Sequence, residues 1–340
     1  MTELKTSFSE SDIRPEDLME QQKRFYENDI RRLLLNKDSF VKVNCPACNQ
    51  DRTEFAFEKY QMRFLNCLEC STVYCSPRPT PAHLDDYYGN SENYAFWNTH
   101  IFPASAEVRR EKIFKPRVEL VRKLVEKHSQ KRQVLVEVGP GSGLFLEELT
   151  KTNLFEFVVG VEPTPELAQT LRDKGLNVVQ KPIEAVLEAE LVGNKQSVDV
   201  IVSFEVIEHL FAPAEFIDKC AKLLNPGGLL LLTCPNSQGF DIATLGPLSS
   251  AVDTEHLNLF NPQSLGKLIE KHGFKIVQTQ TPGRLDAEMV RNKILSGEYK
   301  PDSLLQTVLI DNWETCGTAF QEFLTKYKLS SNMLVAAVKC

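Results

Sequence analysis

A chain of 340 residues with 42% hydrophobic and 25% charged content has the makeup of a globular protein, long enough for two domains or one large domain with an appendage. No apolar run approaches the roughly 18–20 residues of a membrane helix, and the opening "MTELKTSFSESDIRPEDLMEQQKRFYEND" lacks the apolar core of a signal peptide, so a cytoplasmic location without a membrane partner is expected. The net charge of −7 argues against a broad electrostatic footprint for nucleic acid, and nine cysteines, an odd number, do not look like a disulfide framework.

In chain order, residues 1–40 read as a helical N-terminal arm, with 11–36 as its polar helix. Residues 41–76 concentrate cysteine. Cys45-x2-Cys48 and Cys67-x2-Cys70 are two knuckles separated by 18 residues, the spacing of a zinc ribbon. Four thiolates at about 2.3 Å close a tetrahedron around zinc and leave no position for water, so the expected zinc is structural. An iron–sulfur cluster or a redox dithiol suits this paired arrangement with short polar spacers less well. Cys75 lies outside the expected shell, and Cys220, Cys234, Cys316 and Cys340 are scattered.

Residues 77–130 form an aromatic-rich linker or lid and a helix. "SPRPTPAH" (76–83) can continue neither a helix nor a central strand. Residues 84–102 are dense in aromatics without a clear period. Tyr87, Tyr88, Tyr94, Phe96 and Trp97 either form a lid over a bound cofactor or seal the ribbon onto the next domain. Residues 105–129 read as a long amphipathic helix interrupted or kinked at Pro116.

From 131 to 340 short apolar runs alternate with helical stretches. Strands are expected at 133–138, 157–161, 176–180, 198–203, 228–233, 274–280 and 332–339, and helices at 143–151, 165–174, 213–224 and 262–272, with a helical insertion at 285–329. The alternation predicts an α/β, doubly wound, mostly parallel seven-stranded sheet covered by helices on both faces.

"VLVEVGPGSGLFLEEL" (134–149) leads from a strand through Gly139, Gly141 and Gly143 into a helix. Leu144 and Phe145 follow the last glycine, where a triphosphate loop needs Lys and Ser or Thr, and Leu144 stands where the dinucleotide fingerprint needs glycine or alanine. Glu137, two residues before the first glycine, would repel a pyrophosphate at the helix N-terminus. It suits a ligand bearing a sulfonium and an ammonium, and the glycines let backbone approach that ligand without a Cβ.

These residues resemble the first motif of class I S-adenosylmethionine-dependent methyltransferases. Three further stretches agree. "VVGVEPTPELAQTLRDKG" puts Glu162 after the second strand, where the family's acid takes the ribose hydroxyls. "VDVIVSFEVIEHLFAPAEFIDKCAKLLNPGGLLLLTCPN" is similar to the fourth strand, helix and fifth strand. "DTEHLNLFNPQSLGKLIEKHGF" resembles the segment after strand five in the small-molecule, ubiquinone-biosynthesis-like branch. The likeness covers about 131–283 and the last strand, and implies S-adenosyl-L-methionine as cofactor. Pro182 departs from it, standing where many relatives carry an Asp for the adenine amine, so Ile183 and backbone groups are expected to recognise adenine instead. Phe204 matches the position that packs on the adenosyl group, with plain core packing as the competing reading. The ribbon followed by "PRPTPAHLDDYYGNSENYAFW" resembles the N-terminal module of bacterial methyltransferases for sugar and glycan-related metabolites, where it helps build the substrate pocket.

Methyl transfer is an in-line displacement, so the protein contributes alignment, water exclusion and, for a hydroxyl or acidic carbon, a base. Ligands of open α/β sheets bind at the carboxyl ends of the strands. Glu205, Glu208 and His209 after strand four, Asn236 after strand five, and Glu255 and His256 beyond it are the candidates. His256 is the preferred base, with His209 and Glu205 as further catalytic candidates; structural roles for both histidines compete. The expected function is methyl transfer to a small polar acceptor, a sugar or nucleotide-sugar derivative. The alternatives are a methyltransferase whose RNA or protein substrate docks on the ribbon, and a non-catalytic binding module.

Overall fold

The computed structural model describes residues 8–128, 131–192 and 198–340. The N-terminal arm is helix α1 (Glu16–Leu34). Strands β1 (Thr53–Lys59), β2 (Met62–Cys67) and β3 (Val73–Cys75) follow as an antiparallel meander. Helices α2 (Pro81–Gly89) and α3 (Glu92–Phe96) lead through a π turn at Trp97–Ile101 into α4 (Phe102–Arg109). The aromatic stretch without a visible period is thus helical. Its breaks are caps: Thr80 accepts from the His83 N–H, and Ser91 from the Tyr94 N–H.

The expected helix over 105–129 begins earlier, at Phe102, and is broken by a π turn at Arg110–Phe114 before α5 (Lys115–His128). Pro116 has no N–H to offer the carbonyl of Lys112, and the guanidinium of Arg284 donates to that carbonyl instead.

The main sheet then builds from β4 (Val134–Val138), α6 (Leu144–Lys151), β5 (Phe157–Val161), α7 (Pro165–Asp173), β6 (Asn177–Val179), α8 (Glu188–Val192), β7 (Val198–Phe204), α9 (Pro213–Leu223) and β8 (Leu224–Pro235). After α10 (Phe240–Leu245), β9 (Asn258–Leu259), α11 (Pro262–Lys271) and β10 (Phe274–Gln280) comes the helical stretch α12 (Asp286–Leu295), α13 (Ser303–Leu305) and α14 (Trp313–Lys326), and then β11 (Asn332–Lys339). The sheet order is β10-β11-β8-β7-β4-β5-β6, and β11 alone runs against its neighbours. The expected α/β, doubly wound class is what the chain adopts. β8 starts four residues ahead of expectation, because the Asn-Pro-Gly-Gly stretch is carried inside the strand with a register shift against β7.

All five residues of β4 are buried, as a parallel strand covered on both faces requires. Val134, Val136 and Val138 point into one core and Leu135 into the other. The first core continues through Tyr74 and Cys45, Cys67 and Cys70, so the ribbon packs on the sheet domain through shared apolar contacts.

Two further connections join the parts. β9, far down the chain, pairs with β3 at Val73↔Leu259 and Tyr74↔Asn258, making a four-stranded sheet β1-β2-β3-β9. Arg78 is fully buried, and its guanidinium donates to the carbonyls of Cys75 (3.0 Å), Phe211 (3.2 Å) and Leu257 (3.3 Å). Among the described residues no helix is long and apolar enough to cross a membrane.

Candidate active site and cysteine cluster

The turn after β4 carries three left-handed glycines with different duties. A Cβ on Gly139 would lie 2.6 Å from Cγ2 of Val206, and one on Gly143 would lie 2.5 Å from Cδ2 of Leu171. Those two glycines let chain pack on chain. A Cβ on Gly141 would meet nothing within 4 Å, so this is the position where backbone opens onto free space. That space is a cavity of about 1570 Å³ at the carboxyl ends of β4, β5, β7 and β8, with Glu137, Gly139, Gly141, Glu162 and Phe204 in its wall.

Glu137 is buried, and its Oε2 has no hydrogen-bond partner. Burial lifts its pKa to about 8; Arg117 opposes the rise and Glu162 adds to it. Glu162 is also pushed up by burial, and its Oε1 accepts from the Thr164 N–H at 2.9 Å. An orphaned buried carboxylate oxygen is expensive. A cation with N–H donors, placed at the open Gly141, would relieve it. Ile183 does not join this wall. It is buried in the core with Val136 and Val138, and its neighbours Pro182 and Glu184 face the cavity. Phe204 meets Phe145 edge-on at 5.0 Å and also lines the cavity, beneath the guanidinium of Arg117 4.5 Å from its ring.

A second group lies on the turn after β7. Glu205 has a left-handed backbone (φ +57°). Its Oε1 accepts from Thr233 Oγ1 (2.6 Å), Asn332 Nδ2 (3.0 Å) and Arg117 Nη2 (3.4 Å), so its direction is fixed. Glu208 is fully buried with both oxygens unpartnered. The rings of His209 and His256 meet at 4.6 Å. Ligand atoms of Glu208, His209 and His256 lie within 4.8 Å of one another, a separation that one divalent cation can span.

The two histidines sit in opposite electrostatic settings. His256 Nδ1 donates to the Ala251 carbonyl at 2.8 Å, with Asp253 at 3.5 Å. Burial alone would lower its pKa, but Asp253, Glu208, the Ala251 carbonyl and Glu255 together lift it to about 9. Burial and then the His256 charge push His209 well below the ordinary histidine value. Burial holds Glu208 far above the carboxylate range. His209, not the preferred His256, is therefore the neutral imidazole near neutral pH. Its Nδ1 lies 3.2 Å from the Tyr88 hydroxyl.

The other strand-end candidates have structural duties. Glu255 Oε1 accepts from Tyr87 (2.8 Å) and Asn93 (3.3 Å), and Asn236 donates to the Ser330 carbonyl (2.9 Å). Sequence reasoning missed Arg117, which binds Glu205 and faces Glu137. A lone Arg on an amphipathic helix reads as a solvated charge, and nothing in its spacing says otherwise.

The four cysteines come together away from this cavity. Sγ of Cys45 lies 3.5 Å from that of Cys70, Cys48 is equally far from Cys67, and all four sulfurs fall within 4.8 Å. Each knuckle has the same backbone. The Asn49 N–H donates to the Cys45 carbonyl and the Ser71 N–H to the Cys67 carbonyl, both at 2.8 Å, and Asn49 and Ser71 are both left-handed. The Cys45 and Cys67 N–H groups donate to Gln50 and Thr72 at 3.0 Å. Four thiolates about 2.3 Å from one zinc would stand roughly 3.8 Å apart, which fits these spacings.

A family model described as a methyltransferase domain matches residues 107–279, which include the glycine turn, Glu162 and the His209–His256 pair. The chain belongs to this family. Among curated relatives of the methyltransferase domain, a protein of Mycolicibacterium smegmatis named a probable S-adenosylmethionine-dependent methyltransferase is 38% identical over 91 residues, covering 27% of this chain and 34% of that protein. The ubiquinone biosynthesis O-methyltransferase of Colwellia psychrerythraea is 26% identical over 175 residues, covering 49% of this chain and 67% of that enzyme. The chain thus spans a third to two thirds of the relatives it matches. A solved S-adenosylmethionine-dependent methyltransferase from Archaeoglobus fulgidus superposes with a TM-score of 0.43 at 19% identity, over 67% of this chain and 97% of that one. The cysteine cluster at 45–70 lies outside the matched methyltransferase domain.

Proposed function

We propose that the protein transfers a methyl group from S-adenosylmethionine to a small polar acceptor in the large cavity. The observation that carries this reading is the unpartnered, buried Oε2 of Glu137 beside the open backbone of Gly141. In this reading Glu137 receives the ammonium of the cofactor, Glu162 the ribose hydroxyls, and Phe204 packs against the adenosyl group. S-adenosylmethionine, when bound, supplies an electrophilic methyl on a sulfonium.

The chain's own residues do the rest. Glu205, held by Thr233, Asn332 and Arg117, orients the acceptor. His209, kept neutral, removes its proton, and Tyr88 sets the ring. His256, charged and tied to Ala251 and Asp253, stabilises negative charge that grows on the acceptor. The ribbon holds one structural zinc, and through β9 it fixes the segment that carries His256. A cavity that contains the whole constellation favours a small molecule over a macromolecular acceptor. In this reading the acceptor is a sugar derivative, a choice that rests on the resemblance of the ribbon sequence alone.

The test is calorimetry with S-adenosylhomocysteine, followed by transfer of labelled methyl from S-adenosylmethionine into a small-molecule extract. One-to-one binding and label in a small polar product are expected. A protein that binds no S-adenosylhomocysteine overturns the reading.

A further inference from the structure

The cavity wall carries charges of both signs. Glu137, Glu162 and Glu184 stand at the glycine-turn end. Arg14, Arg109 and Arg117, from the N-terminal arm and the α4–α5 helices, stand in the same wall. Two of these arginines have acidic partners: Arg14 pairs with Glu10 at 3.0 Å and Arg117 with Glu205 at 3.4 Å.

Arg109 has none among the described residues. Its Nε donates to the Ser105 hydroxyl (2.8 Å) and its Nη2 to the Ile13 carbonyl (2.9 Å), both neutral acceptors, while Nη1 has no partner among the described residues. The guanidinium is fixed against Phe102 (5.1 Å) and Trp97 (5.9 Å). Burial, then Arg14, then Arg117 all disfavour its charge, and no carboxylate offsets them. A partly buried cation with like charges on both sides is costly unless an anion completes the site.

We propose that the acceptor carries an oxyanion, phosphate or carboxylate, which Arg109 receives through its open Nη1 edge with Arg14 beside it. This rests on the methyl-transfer reading and narrows it to anionic acceptors. Arginine suits the task because its planar fork matches an oxyanion and its plane is already held by the aromatic rings.

The experiment is calorimetry on the full chain saturated with S-adenosylhomocysteine at constant ionic strength, titrated separately with inorganic pyrophosphate, inorganic phosphate and succinate. Saturation closes the glycine turn to the probes. One-to-one binding of at least one probe is expected, and the probe preferred tells phosphate from carboxylate. Arg109→Gln weakens that binding at least tenfold, Arg109→Lys less, and S-adenosylhomocysteine affinity stays within twofold in both. Arg14→Gln, which leaves the Ile13 and Ser105 contacts in place, weakens it severalfold and carries the test if Arg109→Gln does not fold. No probe binding to the saturated protein, or equal binding to parent and variants, overturns the oxyanion assignment and leaves the cofactor reading standing. Absence of S-adenosylhomocysteine binding overturns the cofactor reading, and this assignment with it.

Discussion

Replacing Glu137 with Gln separates the cost of this side chain from its use. In the folded protein its pKa stands at about 8, against 4.5 for an unburied glutamate. Between those values the folded chain keeps a proton that the unfolded chain releases, so stability falls as pH rises from 4.5 and levels off above 8. Linkage puts the penalty below about 1 kcal/mol at pH 5, about 3 kcal/mol at pH 7 and about 5 kcal/mol above pH 8.5, with each unit worth about 1.4 kcal/mol. Gln has the shape of the protonated acid and does not titrate. Glu137→Gln without ligand is therefore expected to match the parent near pH 5 and to exceed it by about 3 kcal/mol at pH 7. Ligand binding should move the other way, because losing a charge-assisted bond of about 1.5–3 kcal/mol weakens S-adenosylmethionine roughly 10- to 100-fold. Denaturant unfolding at pH 5, 7 and 8.5 reads the first effect, and calorimetry the second. Equal unfolding midpoints at pH 8.5 together with unchanged affinity would refute the reasoning, because Glu137 would then be neither strained in the free protein nor used in the complex.

The two glycine substitutions should diverge. Gly139→Ala drives a methyl into Val206 at a positive φ and should cost roughly 2 kcal/mol in denaturant unfolding, whereas Gly141→Ala meets no protein atom, should cost about 1 kcal/mol, and should weaken S-adenosylhomocysteine binding more than Gly139→Ala does. Elemental analysis is expected to find one equivalent of zinc in the parent and none in Cys67→Ser. Because β9 hangs on β3 just beyond His256, zinc loss should also lower methyl transfer although the cysteines lie outside the cavity, and full activity in zinc-free protein would contradict that linkage. His209→Gln should slow methyl transfer by roughly 10²–10⁴ with cofactor affinity within twofold, as removal of a base does, while a matching loss of affinity would place His209 in cofactor binding instead.

The sheet was legible because its signals are local. β4, β5 and β7 are short runs rich in β-branched residues, and their burial leaves little alternation to blur them. Paired cysteines carry their own spacing, and the recurring left-handed Asn49 and Ser71 show why two residues between cysteines suffice. The π turn at Arg110–Phe114 and β9 were hidden for the opposite reason. A two-residue strand has no period, and its partner β3 lies some 185 residues upstream, so nothing near Asn258 announces that it completes the ribbon sheet.

Arg117 and Arg109 show the same limit where it touches chemistry. Each lies on a helix whose neighbouring positions carry Lys, Arg and Glu, so each reads as one more charge on a wet face. Only the fold shows that Arg117 turns to Glu205 and faces Glu137, and that Arg109 turns to the Ile13 carbonyl from another segment. In the proposed reading the glycine turn and Glu137 form the cofactor end of the cavity, and one short stretch of chain builds it. The opposite wall is assembled from the N-terminal arm, the helices before the sheet and the segment around Arg284. The sequence resemblance therefore speaks to the methyl donor, and what the protein accepts must be read from charges that only folding brings together.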